Sequence, residues 1–422
     1  MSLTFSLEAA REMDAQDELR SFRQRFVIDD PDLIYMDGNS LGRLPQASRA
    51  RLHQLIDAEW GQQLIRGWNG GWFTSPERIG NKMAQLVGAS EGEVIMADST
   101  SVNLFKLALA AVLAQPDRHK IITDDLNFPS DLYILQGLQR VTGRPLSIQV
   151  ISSSDGIHGP VDGLAAAIDN DTALVTLTHT VFKSGYVYDM AAINAIAHQS
   201  GAFTLWDLSH SVGSVIVELN QTNADLAVGC SYKYVNGGPG APAFLYIRRD
   251  LQSQLGNPIS GWMGQKDMFD FALDYEPATG IRQFITGTYP MLSLAAVEPG
   301  VDILLEAGMD RLRAKSVQQT EFLIALWESG LKPLGFSLNS PRDSHRRGSH
   351  VSIGHEDGLR VDLAMINDMK VLPDFRPPDN IRLGITPLYT TYEEIWTAVH
   401  RIHRVITEKL YEKYDPAGLV VT

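Results

Sequence analysis

Cysteine is nearly absent from this sequence, since Cys230 is the only one among 422 residues. A lone cysteine excludes a framework of disulfides within the chain and is typical of a reducing compartment. The first twenty residues also lack the basic stretch and apolar core that together mark a secretory signal. We therefore expect a cytoplasmic protein.

Long apolar runs and positive charge are also scarce, and each scarcity excludes a class of partner. The run "LALAAVLA" at residues 107–114 is bounded by Lys106 and Gln115, so it is too short to cross a bilayer. The net charge is −14, and the densest basic stretch, "RDSHRRGSH" at residues 342–350, is typical of a solvated loop. Without a basic stripe, neither a nucleic acid nor a membrane is an expected partner.

Motifs for metal-dependent and nucleotide-dependent chemistry are missing as well. No H-E-x-x-H sequence occurs, and His400 and His403 have the spacing of the polar face of a final helix. The glycines after Lys233 do not form a Walker motif, because the lysine precedes them. We expect no bound metal.

Short apolar runs rich in β-formers alternate with helical patterns through the middle of the chain. One helical pattern, at residues 190–201, ends in a glycine suited to a helix C-cap. The alternation predicts an α/β fold with a mostly parallel sheet covered on both faces. The predicted strands are residues 120–123, 146–152, 172–179, 202–207, 226–233 and 243–247.

The pattern changes near residue 300, which predicts a second, smaller domain. One long helix is expected over residues 297–329, followed by short strands and an amphipathic helix over residues 391–414. We therefore predict a large domain at 66–300 and a small α+β domain at 301–422. The N-terminal segment, 1–65, is expected to pack with the small domain.

Asp207 and Lys233 are the first candidates for chemistry. Asp207 ends an apolar strand, and ligands of doubly wound sheets bind beyond the carboxyl ends of strands. For an isolated aspartate, capping the next helix is the more common role. Lys233 ends the next predicted strand, 26 residues on, so one strand–helix–strand step could bring both to one sheet edge. Glycines 237, 238 and 240 then predict a tight turn or a close approach of backbone to a ligand.

A lysine and an aspartate that meet at a sheet edge indicate pyridoxal phosphate. The lysine amine can form a Schiff base with the aldehyde, and the aspartate can keep the pyridine nitrogen protonated. The start of a helix at Ser99, Thr100 and Ser101 offers an anion site for the phosphate, although a simple N-cap explains it equally well. Phe128, in "NFPSD", could lie over the ring.

Six motifs spread from about residue 35 to residue 391 carry a family resemblance. They are "MDGNSLGRLP", "STSVNL", "NFPSD", "WDLSHSVG", "SYKYVNGGPG" and "IRLGITPLYTT". Together they resemble kynureninase, a fold type I pyridoxal phosphate enzyme of the aspartate aminotransferase superfamily. The resemblance implies a seven-stranded type of sheet, a homodimer with active sites at the subunit interface, and hydrolysis of L-kynurenine to anthranilate and L-alanine. That reaction belongs to tryptophan catabolism and to NAD biosynthesis from tryptophan.

The resemblance also implies roles for individual residues. Lys233 would anchor the cofactor, Asp207 would contact the pyridine nitrogen, and Tyr232 would help to hold the phosphate region. For the chemistry itself, our hypothesis is that Tyr232 donates the proton that completes alanine. Thr288 would reach the cofactor from the other subunit. The implied cofactor-binding residues are Lys233, Thr100, Ser101, Phe128, Asp131, Asp207, His210, Tyr232, Trp262 and Thr288.

The implied substrate-binding residues are Arg382, Ser40 and Trp68. Arg382 would clamp the α-carboxylate, which suits a bidentate guanidinium. Family members that act on the 3-hydroxylated substrate carry a histidine and an asparagine near the aryl pocket. Here Thr288 stands in place of that asparagine, and Trp68 and Trp72 occupy the earlier segment. This favours L-kynurenine, with 3-hydroxykynurenine as a further candidate.

Three other functions stay open at this point. A cysteine desulfurase or selenocysteine lyase would need a nucleophilic cysteine on a loop over the cofactor, whereas Cys230 falls inside a predicted strand. An aminotransferase would transfer the amino group to an added 2-oxo acid. A cofactor-binding regulatory module would need an appended DNA-binding or interaction domain, and none is visible in the sequence.

Overall fold

The computed structural model describes residues 5–415, which form thirteen strands and eleven α-helices. The strands are β1 (Ile34–Tyr35), β2 (Val94–Met96), β3 (Lys120–Asp124), β4 (Ser147–Ile151), β5 (Thr172–Thr178), β6 (Phe203–Asp207), β7 (Leu226–Gly229), β8 (Phe244–Ile247), β9 (Ser337–Leu338), β10 (His350–Gly354), β11 (Val371–Leu372), β12 (Asp374–Arg376) and β13 (Asn380–Gly384). The helices are α1 (Leu7–Gln16), α2 (Gln46–Gln54), α3 (Ser75–Leu86), α4 (Thr100–Leu113), α5 (Pro129–Thr142), α6 (Val161–Ala167), α7 (Met190–Gln199), α8 (Met291–Ala307), α9 (Met309–Gly330), α10 (Gly358–Met369) and α11 (Tyr392–Thr407).

A seven-stranded sheet in the order β2-β8-β7-β6-β5-β3-β4 is the centre of the larger part. Only β8 runs antiparallel to its neighbours, so the predicted mostly parallel α/β sheet is confirmed. Strands β5, β7 and β8 are buried along their whole length, as expected for apolar strands covered on both faces. The carboxyl ends of the parallel strands, among them β5, β6 and β7, form the edge where ligands bind in such sheets.

The predicted strand at 226–233 is wrong at its end, because β7 stops at Gly229. The backbone beyond it forms a turn, in which the Gly237 amide donates to the Ser231 carbonyl over 2.8 Å. The amide of Gly42 donates to the carbonyl of Tyr232, also over 2.8 Å. Lys233 therefore lies on a turn held by a distant segment and not at the end of a strand.

The single long helix predicted over 297–329 is also wrong. The chain forms two helices, α8 and α9, separated by Gly308. Gly308 has φ of 82°, a conformation that glycine adopts without strain and that interrupts a right-handed helix. Helix α8 also starts at Met291, six residues earlier than predicted.

The C-terminal part is built on an antiparallel sheet in the order β12-β13-β10-β9, which confirms the predicted smaller α+β unit. Helix α11 starts with a capping box, in which Thr391 accepts from the Glu394 amide and Glu394 accepts from the Thr391 amide. One face of α11 packs in the local core through Tyr392, Ile395, Ala398, Val399, Ile402 and Val405.

The N-terminal segment contributes to both hydrophobic cores. Ala10, Ile34 and Met36 pack in the core of the C-terminal part, whereas Leu19 and Phe22 pack in the core of the large sheet. The domain limits at 65 and 300 stay a prediction, and residues 1–4 and 416–422 of the predicted ranges lie outside the described residues. Within residues 5–415, no helix is long and apolar enough to cross a membrane.

Candidate active site

Lys233, Asp207 and His210 meet at the carboxyl edge of the seven-stranded sheet. Asp207 is the last residue of β6, and the Ser209 amide donates to its Oδ1 over 2.8 Å. The Nζ of Lys233 lies 3.4 Å from Nδ1 and 3.3 Å from Nε2 of His210. Three residues predicted from the sequence to have functional roles therefore share one site.

Burial shifts the titratable groups of this site towards their neutral forms. Burial lowers the pKa of Lys233 below its usual value, although the negative charge of Asp207 opposes that change. Burial, followed by the positive charges of Lys233 and Arg382, holds the pKa of His210 well below its usual range. Among the described residues, Lys233 has no ion-pair partner. A lysine in this setting is prepared to act as an amine.

Two buried carboxylates lie close enough to influence each other. Burial raises the pKa of Asp207, while Ser209 and Lys233 lower it. Asp131, in the first turn of α5, has a pKa raised well above its usual value by burial and by the charge of Asp207. A buried carboxylate of this kind is stabilised by a protonated ring nitrogen, so Asp207 fits a pyridine ring at the sheet edge.

Two helix N-termini meet beside these carboxylates and offer a site for an anion. Ser99 is the N-cap of α4 and accepts from the Val102 amide over 3.4 Å, so its hydroxyl has the capping role that the sequence left open. Ser101, in the first turn, lies 3.1 Å from the hydroxyl of Ser130 at the start of α5. The positive ends of two helix dipoles, with Thr100 and these hydroxyls, suit a phosphate group.

Phe128 is the N-cap of α5 and lies in a loop with a fixed conformation. The side chain of Asn127 donates to the Thr176 carbonyl over 3.2 Å and accepts from the Thr178 amide over 2.6 Å. The Phe128 ring is 45% exposed, and its only described ring contact is an edge contact with Phe182 at 5.2 Å. An aromatic face that is held in place yet uncovered is suited to stacking on a planar ligand.

Arg382 comes from β13 of the C-terminal sheet and is 1% exposed, so it is not a surface arginine. Its Nη1 donates to the Phe182 carbonyl over 2.6 Å and lies 3.5 Å from Nε2 of His210. Its Nη2 donates to the Ser40 hydroxyl over 2.9 Å. The C-terminal sheet thus brings Arg382 to the histidine that contacts Lys233, and Ser40 contacts Arg382.

Tyr232 lies next to Lys233 in the turn, and its ring centre is 5.8 Å from the Nζ of Lys233. The neighbouring Cys230 and burial raise the pKa of Tyr232, so the phenol keeps its proton at neutral pH. Cys230 follows β7 directly, outside the strand in which it was predicted, and is 1% exposed. A buried thiol is poorly placed to act on a loop over a cofactor.

A close approach of backbone to backbone explains why the motif "MDGNSLG" has a glycine at position 42. A side chain at Gly42 would collide with the carbonyl oxygen of Lys233, so only glycine allows this approach. In the turn that carries Lys233, here called the lysine turn, Gly238 and Gly240 have φ of 87° and 72°, which glycine adopts freely. These glycines shape the backbone around Lys233.

Trp68, Trp262 and Thr288 lie apart from this group. Trp68 packs on Trp72 and on Tyr289, with ring centres 5.5 Å and 5.7 Å away. Trp262 is 44% exposed and Thr288 is also exposed. In the part of the chain that the structure describes, no hydrogen bond or ring contact joins these three to Lys233 or His210.

Sequence reasoning missed Asp374, Asp37, His350 and Ser130. Asp374 forms an ion pair with Arg382 and a second one, of 2.7 Å, with Arg376. The hairpin of β12 and β13 sets Asp374 opposite Arg382, and their spacing of eight residues around two prolines was the available signal. His350 is fully buried 6.0 Å from the His210 ring, and neither of its nitrogens has a described hydrogen-bond partner. The sequence pattern placed His350 in a solvated loop at 342–350, which is wrong at its end, because β10 begins at His350 and Arg347 and Ser349 are buried.

Comparison with solved structures defines the fold. The fold matches an apo cysteine desulfurase from Thermococcus onnurineus NA1 with a TM-score of 0.78 at 18% identity, over 97% of this chain and 99% of that chain. It also matches a C-DES mutant with glycine covalently linked to its PLP cofactor, with a TM-score of 0.75 at 16% identity, over 88% and 97% of the two chains. This is the fold of type I pyridoxal phosphate enzymes.

Comparison with known sequences defines the family. A family model described as the kynureninase C-terminal domain matches residues 312–402. A kynureninase from Pseudomonas fluorescens is 43% identical over 404 residues, which cover 94% of this chain and 95% of that protein. A kynureninase from Burkholderia pseudomallei (strain 1106a) is 42% identical over the same shares of the two chains. The chain belongs to the kynureninase family.

Proposed function

We propose that this protein is a pyridoxal phosphate-dependent hydrolase that cleaves the Cβ–Cγ bond of L-kynurenine to give anthranilate and L-alanine. The observation that carries this proposal is the relation to curated kynureninases over nearly the whole chain. The geometry supports it, because Lys233 and Arg382 both contact the ring of His210.

The residues of the sheet edge fit the cofactor. Bound there, pyridoxal phosphate supplies an aldehyde that captures an amino acid's amine and a ring that takes up electrons from it. Lys233 would hold the cofactor covalently, and the buried Asp207 would keep a proton on the ring nitrogen. The N-termini of α4 and α5 would hold the phosphate through Thr100, Ser101 and Ser130.

Two proton transfers fall to residues of the lysine turn. Burial lowers the pKa of Lys233 and so favours the neutral amine, which can take the α-proton of the substrate. Tyr232 keeps its proton because its pKa is raised, and it can give that proton to the β-carbon once anthranilate has left. Neutral His210 separates Lys233 from Arg382 and is placed near the cofactor's ring oxygen in this proposal.

Substrate recognition is assigned to Arg382 and Ser40 for the α-carboxylate, and to Trp68 for the aryl group. The guanidinium is buried and always charged, so a carboxylate gains both hydrogen bonds and charge pairing there. Thr288, Trp68 and Trp72 favour L-kynurenine over its 3-hydroxy form.

The exposed positions of Trp262 and Thr288 support a homodimer in which each subunit completes the other's site. Phe269, Phe271 and Leu273 follow Trp262 and are 59%, 77% and 103% exposed, an apolar set that a partner subunit would cover. The single cysteine supports a cytoplasmic location. Tryptophan catabolism, with NAD biosynthesis downstream, is the role that we assign.

Reduction with borohydride followed by peptide mapping tests the cofactor assignment. We expect a pyridoxyl group on Lys233 and none on Lys183, a lysine of a nearby segment that serves as an internal control. Label on another lysine would contradict the assignment of Lys233.

Turnover then separates this function from its neighbours in the fold. L-kynurenine should give fluorescent anthranilate and one equivalent of L-alanine without any 2-oxo acid. A protein that carries the cofactor yet needs a 2-oxo acid would be an aminotransferase. One that releases sulfur from L-cysteine instead would be a desulfurase.

A further inference from the structure

Asp374 binds the guanidinium of Arg382 from one side. Its Oδ1 accepts from Nε over 2.7 Å and its Oδ2 accepts from Nη2, which together form a bidentate pair. The two residues are direct partners in the antiparallel register of β12 and β13, so both side chains project from the same face. Asp374 is itself 1% exposed. The backbone thus fixes this pair before any ligand binds.

The opposite end of the guanidinium faces the site formed by Lys233 and His210. There Nη1 contacts the Phe182 carbonyl and lies 3.5 Å from His210. Ser40 bridges the two residues of the pair, because its hydroxyl donates to Asp374 over 2.7 Å and accepts from Arg382 over 2.9 Å. An arginine held at Nε and Nη2 has few rotamers left, so binding at Nη1 orders little more.

A carboxylate so close to a carboxylate-binding arginine could cancel its charge. Arg376 prevents this, because it also pairs with Asp374 over 2.7 Å. Asp37 is the fourth titratable group of the cluster, and its buried Oδ1 has no described hydrogen-bond partner. Burial and the charge of Asp374 raise the pKa of Asp37 to about 7, so Asp37 is largely protonated below that pH. The cluster then keeps a surplus positive charge.

We propose that Asp374 is a positioning residue of the reaction. With Ser40 it orients Arg382 so that Nη1 faces the substrate α-carboxylate, and Arg376 restores the charge that Asp374 removes. This inference rests on the carboxylate-binding role proposed above for Arg382. It gives a reason for the burial and the orientation of Arg382. The β12–β13 hairpin, and not the cofactor site, sets that orientation.

Substitution of Asp374 separates orientation from stability. Asp374→Ala should raise KM for L-kynurenine about 10-fold or more, equivalent to roughly 1.4 kcal/mol, with a smaller change in kcat. Asp374→Glu should recover part of the loss, because it keeps a bidentate partner. Asp17→Asn is the matched control, since it breaks another buried ion pair, with Lys315, away from the site. It should leave KM unchanged.

An amine analogue of the substrate that lacks only the α-carboxylate provides the second readout. Its binding to the holoenzyme, measured by calorimetry, should be the same for wild type and Asp374→Ala, whereas binding of L-alanine should weaken about 10-fold. Equal losses for both ligands, or a fall in kcat at constant KM, would overturn the inference.

Arg382→Gln distinguishes failure of this inference from failure of the proposed function. If Arg382→Gln raises KM and Asp374→Ala does not, Arg382 binds the carboxylate without help from Asp374, and only the positioning role is wrong. If neither variant changes KM, the carboxylate site itself is misassigned.

Discussion

Charge is arranged differently in the two regions that meet at the active site. At the edge of the seven-stranded sheet, Lys233, His210 and Asp207 lie together without an ion pair among the described residues. On the four-stranded sheet, Arg376, Arg382 and Asp374 form two ion pairs.

This difference in charge matches two chemical roles, proton transfer and anion binding. Burial moves the pKa values of Lys233 and His210 down and that of Asp207 up, so each group can change or share a proton at modest cost. Burial alone would also raise the pKa of Asp374, but Arg382 and Arg376 lower it to about 2, so it stays ionised. Groups that transfer protons must be able to lose charge, whereas groups that bind an anion must keep it.

The largest expected effect lies on the sheet edge. Lys233→Ala removes both the covalent anchor and the proton carrier, so we expect kcat/KM for L-kynurenine to fall by about 10⁴-fold or more. The assay is anthranilate fluorescence at saturating pyridoxal phosphate. Lys183→Ala is the control and should keep full activity; a comparable loss there would show that general damage, not chemistry, is being measured.

Asp207→Asn tests whether the sheet edge depends on a carboxylate that shares a proton. The amide has the same shape but cannot stabilise a protonated ring nitrogen, so kcat should fall on the order of 100–1,000-fold. Cofactor content, measured by absorbance after alkaline release, should stay near one per subunit. A variant with normal kcat would mean that Asp207 has only a structural role.

Tyr232→Phe has a smaller expected effect, because it removes one proton donor. We expect kcat to fall about 100-fold, with a changed solvent isotope effect on alanine formation. The measurement is turnover in H₂O and D₂O. Full turnover with an unchanged isotope effect would assign the protonation to another group.

The smallest expected effect concerns stability in the charged region. The pKa of Asp37 is about 7 in the folded protein, above its unfolded value, so the stability it contributes is present at low pH and is lost as pH rises through 7. Asp37→Asn lacks this dependence. Its free energy of unfolding relative to wild type should therefore rise by about 1 kcal/mol or more from pH 5 to pH 8. Parallel curves from urea titrations at the two pH values would contradict the shift.

The sequence was informative where local patterns decide the structure. The runs of apolar residues placed six strands of the large sheet, and Asp207 was correctly placed at the end of one of them. The position of Lys233 was less accessible, because its turn depends on the Gly42 amide, almost two hundred residues earlier in the chain. The periodicity of apolar residues along the sequence carries no information about that contact.

Asp374 was missed for a related reason. In "LPDFRPP" it is one more aspartate beside prolines, and its importance comes only from the register of β12 against β13. Gly308, where the helix breaks, is present in the sequence, but a single glycine inside a helical pattern is often tolerated. The pattern alone therefore favoured one helix. Dimer contacts of Trp262 and Thr288 stay a prediction.

The pairing of β1 with β11 has a consequence for how the enzyme is made. Ile34 pairs with Val371, and the Gly384 amide donates to the Met36 carbonyl, so the strand that precedes Ser40 and Gly42 has backbone partners much later in the chain. Contacts this remote in sequence form slowly. The part of the site that carries Ser40 is therefore expected to be completed late in folding, after β11 and β13 have joined β1.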